Sequence, residues 1–167
     1  MKKNEEYFDV VDEDDNIIGR ALRSECHGNP SLIHRTVHVV VFHSDGRILL
    51  QKRSPKKDIQ PGKWDTAVGG HLEPGEDYES AARREMKEEL GVSFAFPLSY
   101  LFDSQIRNNI ESENTIVYAV TYDGPFNFNS EEIEEIRFWS RDEMISAFGK
   151  AIFTPNLEEE LKKILLS

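Results

Sequence analysis

Between Gly69 and Val92 the chain reads GGHLEPGEDYESAARREMKEELGV, with seven acidic residues in 24 positions. Glu85, Glu88 and Glu89 stand at i, i+3 and i+4, so a helix carries all three on one face. On an isolated helix, like charges at that spacing cost roughly 0.2–0.5 kcal/mol per pair. A divalent cation reverses the sign of that cost, and hard oxygen ligands suit Mg2+ or Mn2+. The glycine pair Gly69–Gly70 carries no side chains, so its backbone can approach a metal or a phosphate closely. The competing reading of the same glutamates is a solvated, charged helix face.

The surrounding pattern supports a helix. Ala82, Met86 and Leu90 recur at four-residue steps from Asp77 to Leu90, with Asp77 suited to cap the start and Gly91 the end. Arg84 lies beside the glutamates and can orient Glu76, which the preceding loop brings near. Upstream, residues 6–22 read as a hairpin with an acidic turn at Asp12 to Asn16. His34 to Phe42 is β-branched and long enough for a central strand, and RILLQKRS returns as a second. ECHGNPS and PKKDIQPGKW read as loops. Further strands are predicted from Trp64 to Val68, ending at the glycine pair, and at Phe94 to Asp103, Asn114 to Tyr122 and EIRFWS. A short helix follows in RDEMISAFG and an amphipathic one in NLEEELKKILL, whose Leu157, Leu161 and Leu165 share a core-facing side. Trp64 is expected under the loop that precedes the acidic helix. Strands and helices mix without strict βαβ alternation, which implies an α/β fold around a mixed sheet.

With 20 Lys plus Arg against 31 Asp plus Glu, the net charge of −11 disfavours nucleic acid and anionic membranes as partners, though not a small phosphorylated substrate. Length predicts one domain, 1–167. Cys26 is the sole cysteine, which excludes an intrachain disulfide; with no signal-peptide pattern visible, a reducing cytoplasm is the expected location.

From Gly70 to Val92 the chain matches G-x5-E-x7-R-E-U-x-E-E-x-G-U, where U is bulky and apolar, through Gly70, Glu76, Arg84, Glu85, Met86, Glu88, Glu89, Gly91 and Val92. This is the Nudix box, and the chain resembles the Nudix hydrolases. The resemblance implies a mixed β-sheet sandwiched between helices, here with an N-terminal β-hairpin extension. It also implies Mg2+- or Mn2+-dependent hydrolysis of a nucleoside diphosphate linked to another group, or of a similar small phosphorylated compound. By the family pattern Glu85, Glu88 and Glu89 are metal ligands, helped by the Gly69 carbonyl, while Glu76 and Arg84 hold the loop together. Glu85 is a catalytic candidate on the same basis. Members of the family are often dimers, so a homodimer is compatible with the resemblance.

Outside the box the chain looks like the branch containing the type I isopentenyl-diphosphate isomerases. Those hold a metal with three histidines and two glutamates, matched here by His27, His34, His71, Glu111 and Glu113. KRSPKKDIQPGKW resembles their diphosphate-contacting segment and points to Arg53 and Lys57 as phosphate partners, with Lys56 not separable from Lys57 by sequence. Glu113 is also a candidate general base, and Glu134 an outside one. The isomerases carry a catalytic cysteine where this chain has Gly69–Gly70–His71, and glycine cannot deliver a proton. The hydrolytic set is complete and the isomerase set is not. A hydrolase is therefore the leading expectation, with isomerase-like activity and a non-catalytic binding domain as alternatives.

Overall fold

The computed structural model describes residues 6–57, 59–93 and 97–167. Nine strands form one mixed sheet: β1 (Tyr7–Val11), β2 (Ile17–Leu22), β3 (Ile33–Phe42), β4 (Ile48–Arg53), β5 (Trp64–Thr66), β6 (Val68–His71), β7 (Ser99–Arg107), β8 (Ser112–Thr121) and β9 (Ile133–Trp139). The helices are α1 (Arg23–Cys26), α2 (Tyr78–Leu90), α3 (Arg141–Ala147) and α4 (Pro155–Leu165). None is long and apolar enough to cross a membrane among the described residues.

Strand β3 organises the sheet. It pairs in parallel with β8 along its whole length, from Ile33–Ser112 to Phe42–Thr121, and antiparallel with β6 from Thr36–His71 to Val39–Val68. Because strand side chains alternate, β3 divides its residues between two cores. Val37, Val39 and Val41 pack toward α2, with Ala81, Ala82, Met86 and Leu90. Val40 packs in the second core with Trp64, Trp139, Phe153, Leu157 and Leu161, under α3 and α4. Each fully buried Met or Leu on such a face contributes about 1.5–3 kcal/mol. The sheet thus lies between helices on both sides, as the family resemblance implies.

Helix α2 has the expected ends. The Asp77 carboxylate accepts from Ser80 N at 2.7 Å, and Gly91 adopts φ 66° while donating to Lys87 O. A β-carbon at Gly91 would meet Asn127 O at 2.7 Å, so the site needs glycine for space as well as for conformation.

Several expectations are corrected. Trp64 to Val68 is not one strand but parts of two, β5 on β4 and β6 on β3, and the glycine pair lies inside β6. Trp64 does not support the loop before α2; its ring sits 5.1 Å from Trp139, in the second core. Residues 94–96 of the expected strand from Phe94 lie outside the described residues; the observed strand starts at Ser99 and runs on to Arg107. The loop at ECHGNPS begins inside α1.

Candidate active site

The box builds its site where α2 crosses β6. Gly70 pairs with Val37 and faces α2, so closely that a β-carbon there would overlap the carboxyl group of Glu85. Glu89, one turn on, is buried: Oε2 accepts from Gly69 N at 3.0 Å and Oε1 from Gln51 Nε2 at 3.2 Å. Gln51 is itself fixed by donating to Ala67 O at 2.9 Å. Arg84 is the hub. Its Nη2 donates to His71 O and to Glu76 Oε1, at 3.0 and 2.8 Å, and its Nη1 donates to Glu85 Oε1 at 2.8 Å. Glu88 is different, a largely exposed side chain 3.3 Å from Arg84.

These carboxylates are electrostatically loaded. Burial, opposed by Arg84, raises the Glu85 pKa to about 7. Burial and then the Glu85 charge raise that of Glu89 to about 8, against the hydrogen bonds from Gln51 and Gly69. A pair of oxygen donors that ionises reluctantly beside an exposed third carboxylate fits a hard divalent cation, which would supply the missing positive charge. Glu76, in contrast, is held ionised by its bidentate contact with Arg84.

On the other face of the sheet a second cluster assembles. The β3–β8 register puts His34 beside Glu113, and β6 brings His71 alongside. His34 Nε2 and His71 Nε2 lie 3.0 and 3.5 Å from Glu113 Oε2. His27, at the end of α1, places Nε2 3.3 Å from Glu111 Oε2. Potential ligand atoms of His27, His34 and His71 fall within 4.8 Å of one another, as do those of His34, Glu111 and Glu113. Among the described residues the buried His34 Nδ1 has no hydrogen-bond partner, and the buried His27 Nε2 has only the contact with Glu111. Burial, reinforced by His71, lowers the His27 pKa to about 4, and burial lowers that of His71 as well. Imidazoles next to carboxylates form a donor set that suits a borderline transition metal.

The expected cations have carboxylate partners of their own. Arg53 Nη1 is 3.3 Å from Asp65 Oδ2 and its Nε donates to Ile59 O, whereas Lys57 Nζ is 3.6 Å from Glu132 Oε2. Glu134 pairs with Lys52 at 3.4 Å. Lys56 is exposed. Glu132 was not singled out by sequence, yet its charge adds to the upward shifts of both Glu85 and Glu89. The loop that carries it is fastened to the end of α2 by Asn127 N to Leu90 O and Asn129 N to Glu89 O, at 2.9 and 3.0 Å. Gln51 also gave no sequence signal, because an amide in a strand has no motif. A third unheralded group, the largely buried His38–Glu160 pair (Nδ1 to Oε2, 2.6 Å), joins β3 to α4 behind Gly69.

Fold and site together define a hydrolase type of scaffold, and comparison with known proteins gives it a family. The NUDIX domain model matches residues 32–161, and the chain belongs to the Nudix family and is an enzyme of the hydrolase kind. An uncharacterized Nudix hydrolase of Yersinia pestis is 35% identical over 154 residues, covering 90% of this chain and 81% of the relative. The uncharacterized Nudix hydrolase YfcD of Escherichia coli K12 is 30% identical, covering 90% of this chain and 82% of its own length. Among solved structures, DR0079 of Deinococcus radiodurans superposes with a TM-score of 0.80 at 27% identity, over 95% of this chain and 98% of that one. A MutT protein of Methanosarcina mazei, at 19% identity and TM-score 0.67 over 81% of this chain and 96% of that one, shares the fold.

Proposed function

We propose that the chain is a Mg2+- or Mn2+-dependent pyrophosphohydrolase that cleaves the diphosphate linkage of a nucleoside diphosphate derivative or a similarly small phosphorylated compound. The observation that carries this reading is the close packing of Glu85 and Glu89, both with raised proton affinity, against the bare backbone of Gly69–Gly70. Glu85, Glu88, Glu89 and the Gly69 carbonyl would hold the cation. Such an ion would supply Lewis-acid activation of a water and charge neutralisation at phosphate oxygens. The chain does the rest. Arg84 fixes Glu85, which accepts the proton of the attacking water. Gln51 and Gly69 N aim Glu89. Arg53 and Lys57 bind phosphate oxygens by exchanging their present carboxylate partners for the substrate. The bridging P–O bond breaks and two phosphorylated products leave. Glu113 faces the other side of the sheet and is engaged by His34 and His71, which suits it to metal binding better than to proton transfer at the box.

The histidine cluster supports a second ion, held by His27, His34, His71, Glu111 and Glu113, and supports placement in the isomerase-like branch of the superfamily. Isomerase activity is the less favoured reading, since Gly69, at the place of the isomerase cysteine, brings no thiol and Cys26 is fully buried among Phe8, Val10 and Ala21. A buried free thiol is at home in a reducing compartment such as the cytoplasm. Turnover of a panel of nucleoside diphosphate sugars, dinucleoside polyphosphates and isopentenyl diphosphate, with Mg2+ or Mn2+, tests the proposal. Phosphorylated cleavage products that vanish in Glu89→Gln support hydrolysis. A shifted double bond supports isomerisation, and tight binding without reaction supports a non-catalytic domain.

A further inference from the structure

Strand β1 touches both sites with consecutive residues. Phe8, almost wholly buried, stacks its ring on His71 and His34, with centroids 4.7 and 5.1 Å away and planes within 13° and 14°. It also lies 6.1 Å from His27. Asp9, the next residue, points to the opposite side, as strand geometry requires. Its Oδ2 accepts the amide of Gly75 at 2.8 Å, inside the loop that leads to the box helix, and its Oδ1 is held by Arg20 Nε at 3.2 Å. The hairpin turn adds a second grip three residues further along the box. Asp15 accepts from Tyr78 OH at 3.0 Å, and is itself fixed by Arg35 Nε and Asn114 Nδ2 at 3.2 and 3.0 Å.

The held loop matters to the carboxylates. Glu73 N donates to Glu76 Oε1 at 2.9 Å, Glu76 binds Arg84, and Arg84 binds Glu85. A fixed Gly75 therefore fixes, through three contacts, the carboxylate that faces Gly70. Residue 71 bridges the sites from the other end: its imidazole belongs to the histidine cluster, and its carbonyl accepts from Arg84.

We propose that strand β1 couples the two sites, with Phe8 as the wall of the histidine cluster and Asp9 as a positioning residue for the box loop. An ion in the cluster fixes the rings on which Phe8 stacks, and so seats the hairpin. The seated hairpin presents Asp9 to Gly75, the box loop is already ordered when its own cation arrives, and that cation binds more tightly. The proposal rests on the reading of the cluster as a metal site.

The test uses the full chain stripped of metal, Zn2+ as probe of the cluster and Mn2+ as probe of the box, both followed by calorimetry. In the wild type, one equivalent of Zn2+ should tighten Mn2+ binding at least about fivefold, the low end of typical site–site coupling. Asp9→Ala should bind both ions and lose that gain. Asp9→Asn keeps an acceptor for the Gly75 amide and should retain most of it. A melting curve for each variant establishes that it is folded. Two results overturn the coupling while leaving the metal reading intact: Mn2+ affinity indifferent to bound Zn2+ in the wild type, or an unchanged gain in Asp9→Ala. Zn2+ binding that is equal in the wild type and His34→Ala removes the cluster reading itself, and the coupling with it.

Discussion

Gly70 lies beneath the carboxyl group of Glu85 at a separation that leaves no room for a β-carbon. Substituting Gly70→Ala must therefore push away either strand β6 or the carboxylate that the site needs. The displacement is local and leaves the buried face of α2 in place. The expected result is a folded protein whose kcat/KM falls by about a hundredfold, the usual consequence of a misplacement near 1 Å. Gly69→Ala is the control: its β-carbon would meet the His38 ring at 3.2 Å, on the other face, and should cost less activity. Steady-state kinetics on both variants separates the two.

The raised proton affinities of Glu85 and Glu89 give the metal-free protein a signed pH dependence. Glu89 moves from an ordinary value of 4.5 to about 8 on folding, and Glu85 to about 7. Between those values the folded chain binds more protons than the unfolded one, so stability falls as pH rises through that window. Thermal midpoints of metal-free protein should drop from pH 5 to pH 8, and drop less in Glu89→Gln. Mg2+ should restore more stability at pH 8 than at pH 5, because it competes with fewer protons there. A midpoint that rises with pH equally in both proteins would contradict the assignment.

The box was legible because everything that makes it is local. Capping by Asp77, the four-residue apolar step and the αL glycine all act within one helix, and spacing alone reports them. Trp64 was misread because its partners, Trp139 and Phe153, are distant in sequence and a tryptophan carries no label of the face it joins. The histidine cluster depends on pairings such as His34 with Glu113, 79 residues apart, which exist only once β3 and β8 are in register. Resemblance could point at those residues; spacing could not. Gln51, Asp9 and Glu132 were silent for a further reason. Each acts by where a strand or loop delivers it, and none belongs to a pattern of its own.

His38 and Glu160 form a polar link between β3 and α4. Thr66 Oγ1 donates to the second oxygen of Glu160 at 2.8 Å, so removing the histidine strands a buried carboxylate. His38→Ala should destabilise by about 3 kcal/mol, the low end for a broken buried pair. Although burial opposes it, the Glu160 carboxylate raises the His38 pKa from 6.5 to about 9. The stabilisation is therefore complete below pH 6.5 and lost as pH climbs through about 9. Denaturant midpoints of wild type and variant should differ most near pH 6 and converge above pH 9.

The histidine cluster makes its own prediction for metal removal. Among the described residues His34 Nδ1 is buried without a hydrogen-bond partner, and an unsatisfied buried polar group costs about 1–3 kcal/mol. An ion that engages the imidazoles offsets part of that cost and joins α1, β3, β6 and β8 at one point. Because the ion binds the folded state alone, it stabilises by RT ln(1 + [L]/Kd), about 2.7 kcal/mol at a hundredfold excess over Kd. Protein prepared with Zn2+ should carry about one tightly held equivalent by elemental analysis, with a melting point that a strong chelator lowers by several degrees. His34→Ala should lose both the equivalent and the chelator response, yet keep Mn2+ binding at the box. Loss of Mn2+ binding in that variant, with the fold intact, would mean that the two clusters serve a single site.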